Sequence, residues 1–265
     1  MSGNDKWELQ ISEAELKTMT HDLDEAHRET IPTMFERAGG FAQEIAEKSG
    51  LSAGLARRRF LLGAGAAGVG LALAACGAGS SSGSGSTTSA PPSKAASPYT
   101  GDLKVVALAT ALENQAIAAY TAALSAAKAG KLGSVPPAVG QFAQTAMAQH
   151  ADHAKAWNAV LASAGKPTIS NVPLSGQPAV LQALGSVKDV GGVANLALQL
   201  ENQAAQTYLF AEFNVTSAGG ISTAATIAPV EAMHAAILYF VLGQYPVPDN
   251  FIAVDKAANP STLTV

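Results

Sequence analysis

Glu231-Ala232-Met233-His234 is the stretch of this sequence that decides the fold. Residues three apart on a helix are neighbours on one face, so the glutamate and the histidine point the same way. The rest of that face is apolar, and its members are Ala224, Ile227, Ala228, Ala235, Leu238 and Val241. A carboxylate and an imidazole inside an apolar face are costly to bury unless something pairs with them. Metal ions are the usual partner for these two groups, so the stretch predicts a metal site on a buried helix.

Three further helices carry the same kinds of side chain on apolar faces. The helical spacing predicts four long helices, at about 102–129, 137–164, 190–214 and 222–243. Their inward groups are Glu113 on the first, His150 and His153 on the second, Glu201 on the third, and Glu231 and His234 on the fourth. After Cys76 the chain has four glutamates and three histidines, and all except Glu212 fall on these faces. Glutamate is almost never buried unpaired, so the pattern indicates a shared metal site.

The order of the helices predicts an all-α four-helix bundle built from two similar halves. Glu113-Asn114-Gln115-Ala116 recurs as Glu201-Asn202-Gln203-Ala204, and a tyrosine follows each glutamate seven residues later, at Tyr120 and Tyr208. We expect both tyrosines to be core residues beside the ligands, with a hydrogen-bonding tip. Short connections within each half and one long crossover between the second and third helices, about 165–188 with a short helix near 178–184, are typical of such a bundle. Pro229 either kinks the fourth helix or marks its start.

Residues 102–243 resemble the ferritin-like superfamily, whose helices contribute Glu, Glu-x-x-His, Glu and Glu-x-x-His to two metal ions. The positions that match are Glu113, His153, Glu201, Glu231 and His234. More narrowly, the chain is similar to the exported ferritin-like domain proteins of actinobacteria. His150 departs from the pattern, because it stands where the family has the glutamate of the second motif. A carboxylate can bridge two ions, whereas an imidazole offers one nitrogen to one ion.

Three carboxylates and three imidazoles predict an asymmetric pair of ions, or a single ion. This mixed ligand set favours iron, with zinc or manganese as alternatives, since manganese prefers more carboxylates. The resemblance implies a ferroxidase- or catalase-like oxidoreductase that oxidises ferrous ion with oxygen or peroxide, or disproportionates peroxide. The alternative is a non-catalytic metal-binding or structural envelope lipoprotein, which His150 favours. Haem held by two imidazoles is a weaker idea, because the sequence has no c-type attachment motif.

The region before residue 101 does not resemble a packed domain. Residues 1–56 are polar and charged and predict a solvated, cytoplasmic-type extension. Within it, Ser12-x-x-Glu15 fits a capping box that would start a helix, and a second short helical segment is expected at about 33–48. Residues 77–100 are rich in Gly, Ser and Pro and predict a flexible linker. At the other end, residues 244–265 predict an extended tail over the bundle domain at 101–243.

Residues 57–76 resemble a twin-arginine (Tat) lipoprotein signal. Arg57-Arg58-Arg59 precedes an apolar run, and Leu73-Ala74-Ala75-Cys76 resembles a lipobox whose cysteine becomes lipidated. The sixteen uncharged residues 60–75 are short of the ~20 that cross a bilayer, although an uncleaved signal anchor is the alternative. We therefore expect export by the twin-arginine machinery and a lipid anchor on the outer face of the cytoplasmic membrane. The net charge of −4, without a basic stripe in the C-terminal part, gives no reason to expect nucleic acid.

Overall fold

The computed structural model of the chain describes residues 7–50, 58, 60–61, 97–248 and 252–265. Within these ranges six α-helices have defined bounds and no strand is present; one isolated antiparallel bridge joins Leu174 and Leu263. The helices are α1 Glu13–Lys48, α2 Asp102–Lys128, α3 Pro137–Ser163, α4 Gln177–Ser186, α5 Val190–Asn214 and α6 Ala218–Val241, and a 3-10 helix covers Pro260–Thr262. The predicted all-α class is confirmed, and the predicted bounds agree closely except at the start of α6.

Helices α2, α3, α5 and α6 form the predicted four-helix bundle. Within it, α2 packs on α3 and α5 packs on α6, while α2 and α5 meet across the bundle. Helix α4 lies in the long crossover between α3 and α5. Asn114 of α2 donates a hydrogen bond to the Ile169 carbonyl, which holds the crossover against the bundle. The C-terminal tail lies along the crossover, because the Ser175 N–H donates to the Thr262 carbonyl.

The prediction of a solvated N-terminal extension is wrong for α1. The capping box of Ser12 and Glu15 is present, but the helix then continues to Lys48 instead of breaking into two pieces. Helix α1 packs against α3 and α6 as a fifth helix of the bundle. Its apolar side chains at the contact are at most 3% exposed: Leu16, Leu23, Met34 and Phe41. Charged residues on the outer face dominate its composition, so the narrow apolar stripe is visible only when the whole helix is considered.

Helix α6 starts at Ala218 and not at 222, so Pro229 lies inside it and is not its start. The Ser217 side chain caps the first turn by accepting from the Gly220 N–H. Gly219 and Gly220 fall between the two helices predicted at 190–214 and 222–243, but in the structure they lie in this first turn of α6. Helix α1 passes very close to them. A Cβ at Gly219 would lie 2.6 Å from the backbone nitrogen of Phe41. These glycines therefore permit the close approach of two helices and do not form a turn.

Among the described helices, α6 is long and apolar enough to cross a membrane by length and composition. Half of that apolar window is buried in the bundle. The helix also carries Glu231 and His234 inside the protein, so its hydrophobicity is that of a core helix.

The predicted signal falls largely outside the described residues. Arg57, Arg59 and Cys76 are not described, and neither is most of the predicted linker at 77–100. Arg58 is exposed, whereas Phe60 is buried against α1 near Gly39. The export signal, lipid anchor and domain boundaries therefore stay predictions from the sequence.

Candidate metal centre

The six side chains predicted as ligands meet in the middle of the bundle. Each is at most 2% exposed: Glu113 from α2, His150 and His153 from α3, Glu201 from α5, and Glu231 and His234 from α6. The three-residue spacing on α3 and on α6 places two groups from each helix on its inner face. All four helices of the bundle thus contribute to one buried cluster.

The cluster divides into two overlapping groups, each able to hold an ion. The first consists of Glu113, His150, His153 and Glu231, and the second of His150, Glu201, Glu231 and His234. In each group one ligand atom per residue lies within 4.8 Å of all the others. His150 and Glu231 belong to both groups. The geometry therefore offers two adjacent sites with two shared residues.

Glu231 and His150 occupy equivalent places between the two groups. Oε1 of Glu231 lies 2.9 Å from Nδ1 of His153, and Oε2 lies 3.3 Å from Nδ1 of His234. His150 has Nδ1 2.7 Å from Oε2 of Glu113 and Nε2 3.2 Å from Oε1 of Glu201. Glu231 can therefore bridge two ions through its two oxygens. A neutral imidazole has one free lone pair, so His150 would serve one ion at a time.

The spacing of the side chains is compatible with metal ligation as well as with mutual hydrogen bonding. Two ligands bound to one ion at ~2.1 Å lie about 3.0–3.4 Å apart, depending on the coordination angle. The carboxylate-to-imidazole distances in the cluster run from 2.7 to 3.7 Å. Oε1 of Glu231 and both ring nitrogens of His153 lack a hydrogen-bond partner, although Nδ1 and Oε1 are only 2.9 Å apart. Buried polar atoms are rarely left in this state, and an ion between them would satisfy both.

Two tyrosines hydrogen-bond the carboxylates of the cluster, as expected of core residues beside the ligands. Tyr208 donates to Oε1 of Glu113, and its own oxygen accepts from the Trp157 indole at 2.9 Å. Tyr120 donates to Oε1 of Glu201. The tyrosine of each half thus bonds to the glutamate of the other half. This crossed pattern ties the two halves together around the cluster.

Sequence reasoning missed two polar side chains at the centre. Oε1 of Gln149 lies 2.8 Å from Nε2 of His234, on the side of the ring away from the carboxylates. The ring of His27 from α1 lies 5.2 Å from that of His153, measured between centroids. Gln149 directly precedes His150 and so lies off the single face that was considered. The signal for His27 is its helical spacing from Leu16, Thr20 and Leu23, all of them buried.

The electrostatics of the cluster favour negative charge on Glu113 and Glu201 and positive charge on the imidazoles. Burial alone would raise the pKa of Glu113, but the charge on His153 and the hydrogen bond from His150 lower it to about 2. The pKa of Glu201 is likewise lowered well below its usual value, where His150 and His234 outweigh burial. Burial lowers the pKa of each imidazole, but the carboxylates outweigh it. They raise the pKa of His153 to about 9, and those of His150 and His234 also rise. His153 is therefore protonated at neutral pH, and the carboxylates favour the protonated forms of His150 and His234 as well.

Comparison with known proteins gives one family match. A family model described as "Ferritin-like domain" matches residues 101–244, which is more than half of the chain. The match starts beside the first residue of α2 and contains all six side chains of the cluster. Helix α1 lies outside it. No curated protein and no solved structure matches the chain.

Proposed function

The chain belongs to the ferritin-like domain family, and we propose that its buried centre holds two divalent first-row metal ions, preferably iron, for redox chemistry with oxygen or peroxide. The observation that carries this proposal is the sharing of Glu231 and His150 between two complete groups of ligands. A site built for one ion would need only four of the six side chains. Burial of all six, at the cost of desolvating three carboxylates, is explained by two ions.

The charges of the centre favour a small anion as the remaining ligand. Two divalent ions bring four positive charges, and the three carboxylates balance three of them. Unlike the usual glutamate, His150 adds no negative charge when it is neutral. Hydroxide or a deprotonated peroxide would restore neutrality, which an enclosed site strongly favours. The proposed substrates are therefore small oxygen species.

The surrounding residues hold the ligands and exclude bulk water. Tyr208 and Tyr120 fix the carboxylates of Glu113 and Glu201, and Gln149 fixes the ring of His234. When bound, the ions supply electron transfer and Lewis acidity that the side chains lack. The pKa values of both tyrosines are raised well above the usual range by burial and by the nearby carboxylates, so both keep their protons as donors.

A narrow crevice lies beside the centre, between α2, α4 and α5, and is lined by Tyr120, Leu184, Glu201 and neighbouring alanine, valine and leucine side chains. Its cavity volume is about 10 Å³, close to what one water molecule needs. A crevice of this size favours very small molecules over organic substrates as ligands on the Glu201 side of the centre.

A non-catalytic metal-binding role is the second candidate. The near-complete burial of all six side chains favours it, since a sealed site retains ions but exchanges ligands slowly. Both candidates predict ion binding, and they differ in oxygen or peroxide consumption.

Export as a membrane lipoprotein is also part of the proposal, on the strength of Arg57-Arg58-Arg59 and Cys76. The packing of α1 constrains how this happens, because α1 precedes the signal and the bundle follows it. A single membrane crossing between them would place them on opposite sides, whereas they are in contact in the structure. On this proposal the packed chain is the form before export, and the contacts of α1 belong to that form.

The proposed function is tested by anaerobic titration of the full chain with Fe²⁺, followed by exposure to oxygen or peroxide. We expect two ions per chain and oxidant consumption. Glu231→Gln should lose both ions, whereas Glu113→Gln should lose one. Glu212→Gln, which changes a glutamate of α5 outside the centre, is the matched control and should still bind two. A folded chain that binds no ion would refute the proposal, and binding without oxidant consumption would leave the non-catalytic role.

A further inference from the structure

Helix α1 carries a buried histidine beside the metal centre. His27 is 3% exposed, and its ring meets that of His153 at an interplanar angle of 64°. Nε2 of His27 lies 3.5 Å from Oδ2 of Asp152, whose side chain is partly exposed. None of the ring nitrogens of His27 and His153 has a hydrogen-bond partner. Two adjacent buried imidazoles without partners are rare and call for a physical explanation.

The two halves of the centre support their histidines differently. Nδ1 of His234 faces the carboxylates, and its outer nitrogen, Nε2, lies 2.8 Å from the Gln149 oxygen. Nδ1 of His153 also faces carboxylates, at 2.9 Å from Oε1 of Glu231. Its outer nitrogen finds no acceptor in the four-helix bundle. The ring of His27, from α1, packs edge-on against the ring of His153, with no hydrogen bond between them.

We propose that His27 is a positioning residue of the metal centre, which holds the ring of His153 from α1 and links it to Asp152. This inference rests on the proposed function, since it concerns an ion bound through Nδ1 of His153. A histidine ligand keeps an N–H on its other nitrogen, and the group that accepts that N–H orients the ring and strengthens it as a ligand. Nε2 of His27 lies 3.5 Å from Asp152 without a hydrogen bond, and Nδ1 is also without a partner, so we infer that Nδ1 accepts from His153 when an ion is bound.

Helix α1 is fixed at both ends, so His27 has a defined place. Near its start, Oε2 of Glu13 accepts from the Ala138 N–H in the first turn of α3 at 3.2 Å. Near its end, Oε1 of Glu44 accepts from the Gly219 N–H in the first turn of α6 at 2.9 Å. Carboxylates at helix N-termini satisfy free N–H groups and oppose the positive end of the helix dipole. These two bonds hold α1 on the helices that carry His153 and Glu231.

The test measures Co²⁺ affinity by chelator competition and the Co²⁺ absorption spectrum in the full chain. His27→Ala should weaken binding by about 10- to 100-fold, the usual effect of losing such a partner, and should shift the d–d bands. His27→Gln supplies an amide oxygen as Gln149 does and should restore most of the affinity. Thr20→Val, a buried change on the same face of α1, should alter neither readout.

A second variant loosens α1 without changing His27. Gly219→Ala introduces a Cβ against the Phe41 backbone and should weaken Co²⁺ binding as His27→Ala does. Gly140→Ala, at a helical glycine with nothing within 4 Å, is its control. Equal affinity and equal spectra for wild type and His27→Ala would overturn this inference but not the proposed function. A wild-type chain that binds no Co²⁺ would overturn the proposed function, and this inference with it.

Discussion

Metal binding at this centre should release protons, and the apparent affinity should therefore fall as the pH falls. Without an ion, the carboxylates raise the pKa values of His150, His153 and His234. His153 is then protonated at pH 7, and the protonated forms of the other two are favoured, whereas a metal ion binds only the neutral imidazole. Each histidine that becomes a ligand must give up its proton. Glu113 takes no part, because its pKa of about 2 leaves it ionised.

The size of the effect follows from His153. Its pKa of about 9 lies two units above pH 7, so deprotonation lowers the apparent affinity at that pH by about 100-fold, or ~2.7 kcal/mol. His150 and His234 act in the same direction. Filling both groups should release at least the proton of His153, which costs about tenfold in affinity per pH unit between pH 8 and 6.

Calorimetric titration with Zn²⁺, which is redox-inert, measures this release directly. At pH 7, two buffers with different protonation enthalpies give the number of protons transferred to the buffer. His153→Gln should reduce the number by one, whereas His21→Gln, which changes an exposed histidine of α1, should leave it unchanged. Wild-type binding with no proton release would refute the reasoning, because the imidazoles would then be neutral beforehand or would not be ligands.

Three further predictions concern the ion-free chain. Phe41→Ala should lower the unfolding free energy by about 3–5 kcal/mol in urea, since Phe41 is fully buried between α1 and α6; an unchanged midpoint would make α1 peripheral. Tyr208→Phe leaves Oε1 of Glu113 and the indole N–H of Trp157 without a hydrogen-bond partner and should cost about 1–3 kcal/mol, whereas the exposed Tyr245→Phe should cost nothing measurable. Finally, urea unfolding across pH should show the stabilisation by the ion pairs in full between about pH 4.5 and 6.5. It should be lost as the pH rises through the pKa of His153, about 9, and as it falls through that of Glu113, about 2; a flat profile would contradict the pairing.

The sequence predicted the bundle and its buried cluster because polar side chains are scarce on these helices. On Ala-rich faces, a glutamate or histidine in the interior is conspicuous, and the three-residue spacing on α3 and α6 shows which side chains share a face. The bounds of α2 and α3 follow from the prolines and glycines at their ends. These are local signals, and they do not depend on which helices touch.

What the sequence did not predict depends on contacts between distant segments. Helix α1 has a charged outer face, so only its packing on α3 and α6 distinguishes it from a solvated helix. The roles of His27 and Gln149 are visible only from their contacts with His153 and His234. Gly219 and Gly220 resemble a loop in sequence, but they serve the close approach of α1.

The place of His150 shows the same limit. Because an imidazole binds one ion at a time, the sequence indicated that His150 does not bridge two ions. As a position, it lies opposite Glu231 and reaches both groups through its two ring nitrogens. Its location on α3 determines which groups it meets, and the residue type determines how many ions it can bind at once.

Anomalous diffraction from crystals of the full chain grown with Fe²⁺ would test the central claim most directly. The account predicts two peaks about 3.5–4 Å apart, one beside Glu113 and His153 and the other beside Glu201 and His234. Both peaks should lie within bonding distance of Glu231. Peaks confined to the protein surface, or an ion-free cluster at saturating Fe²⁺, would contradict it.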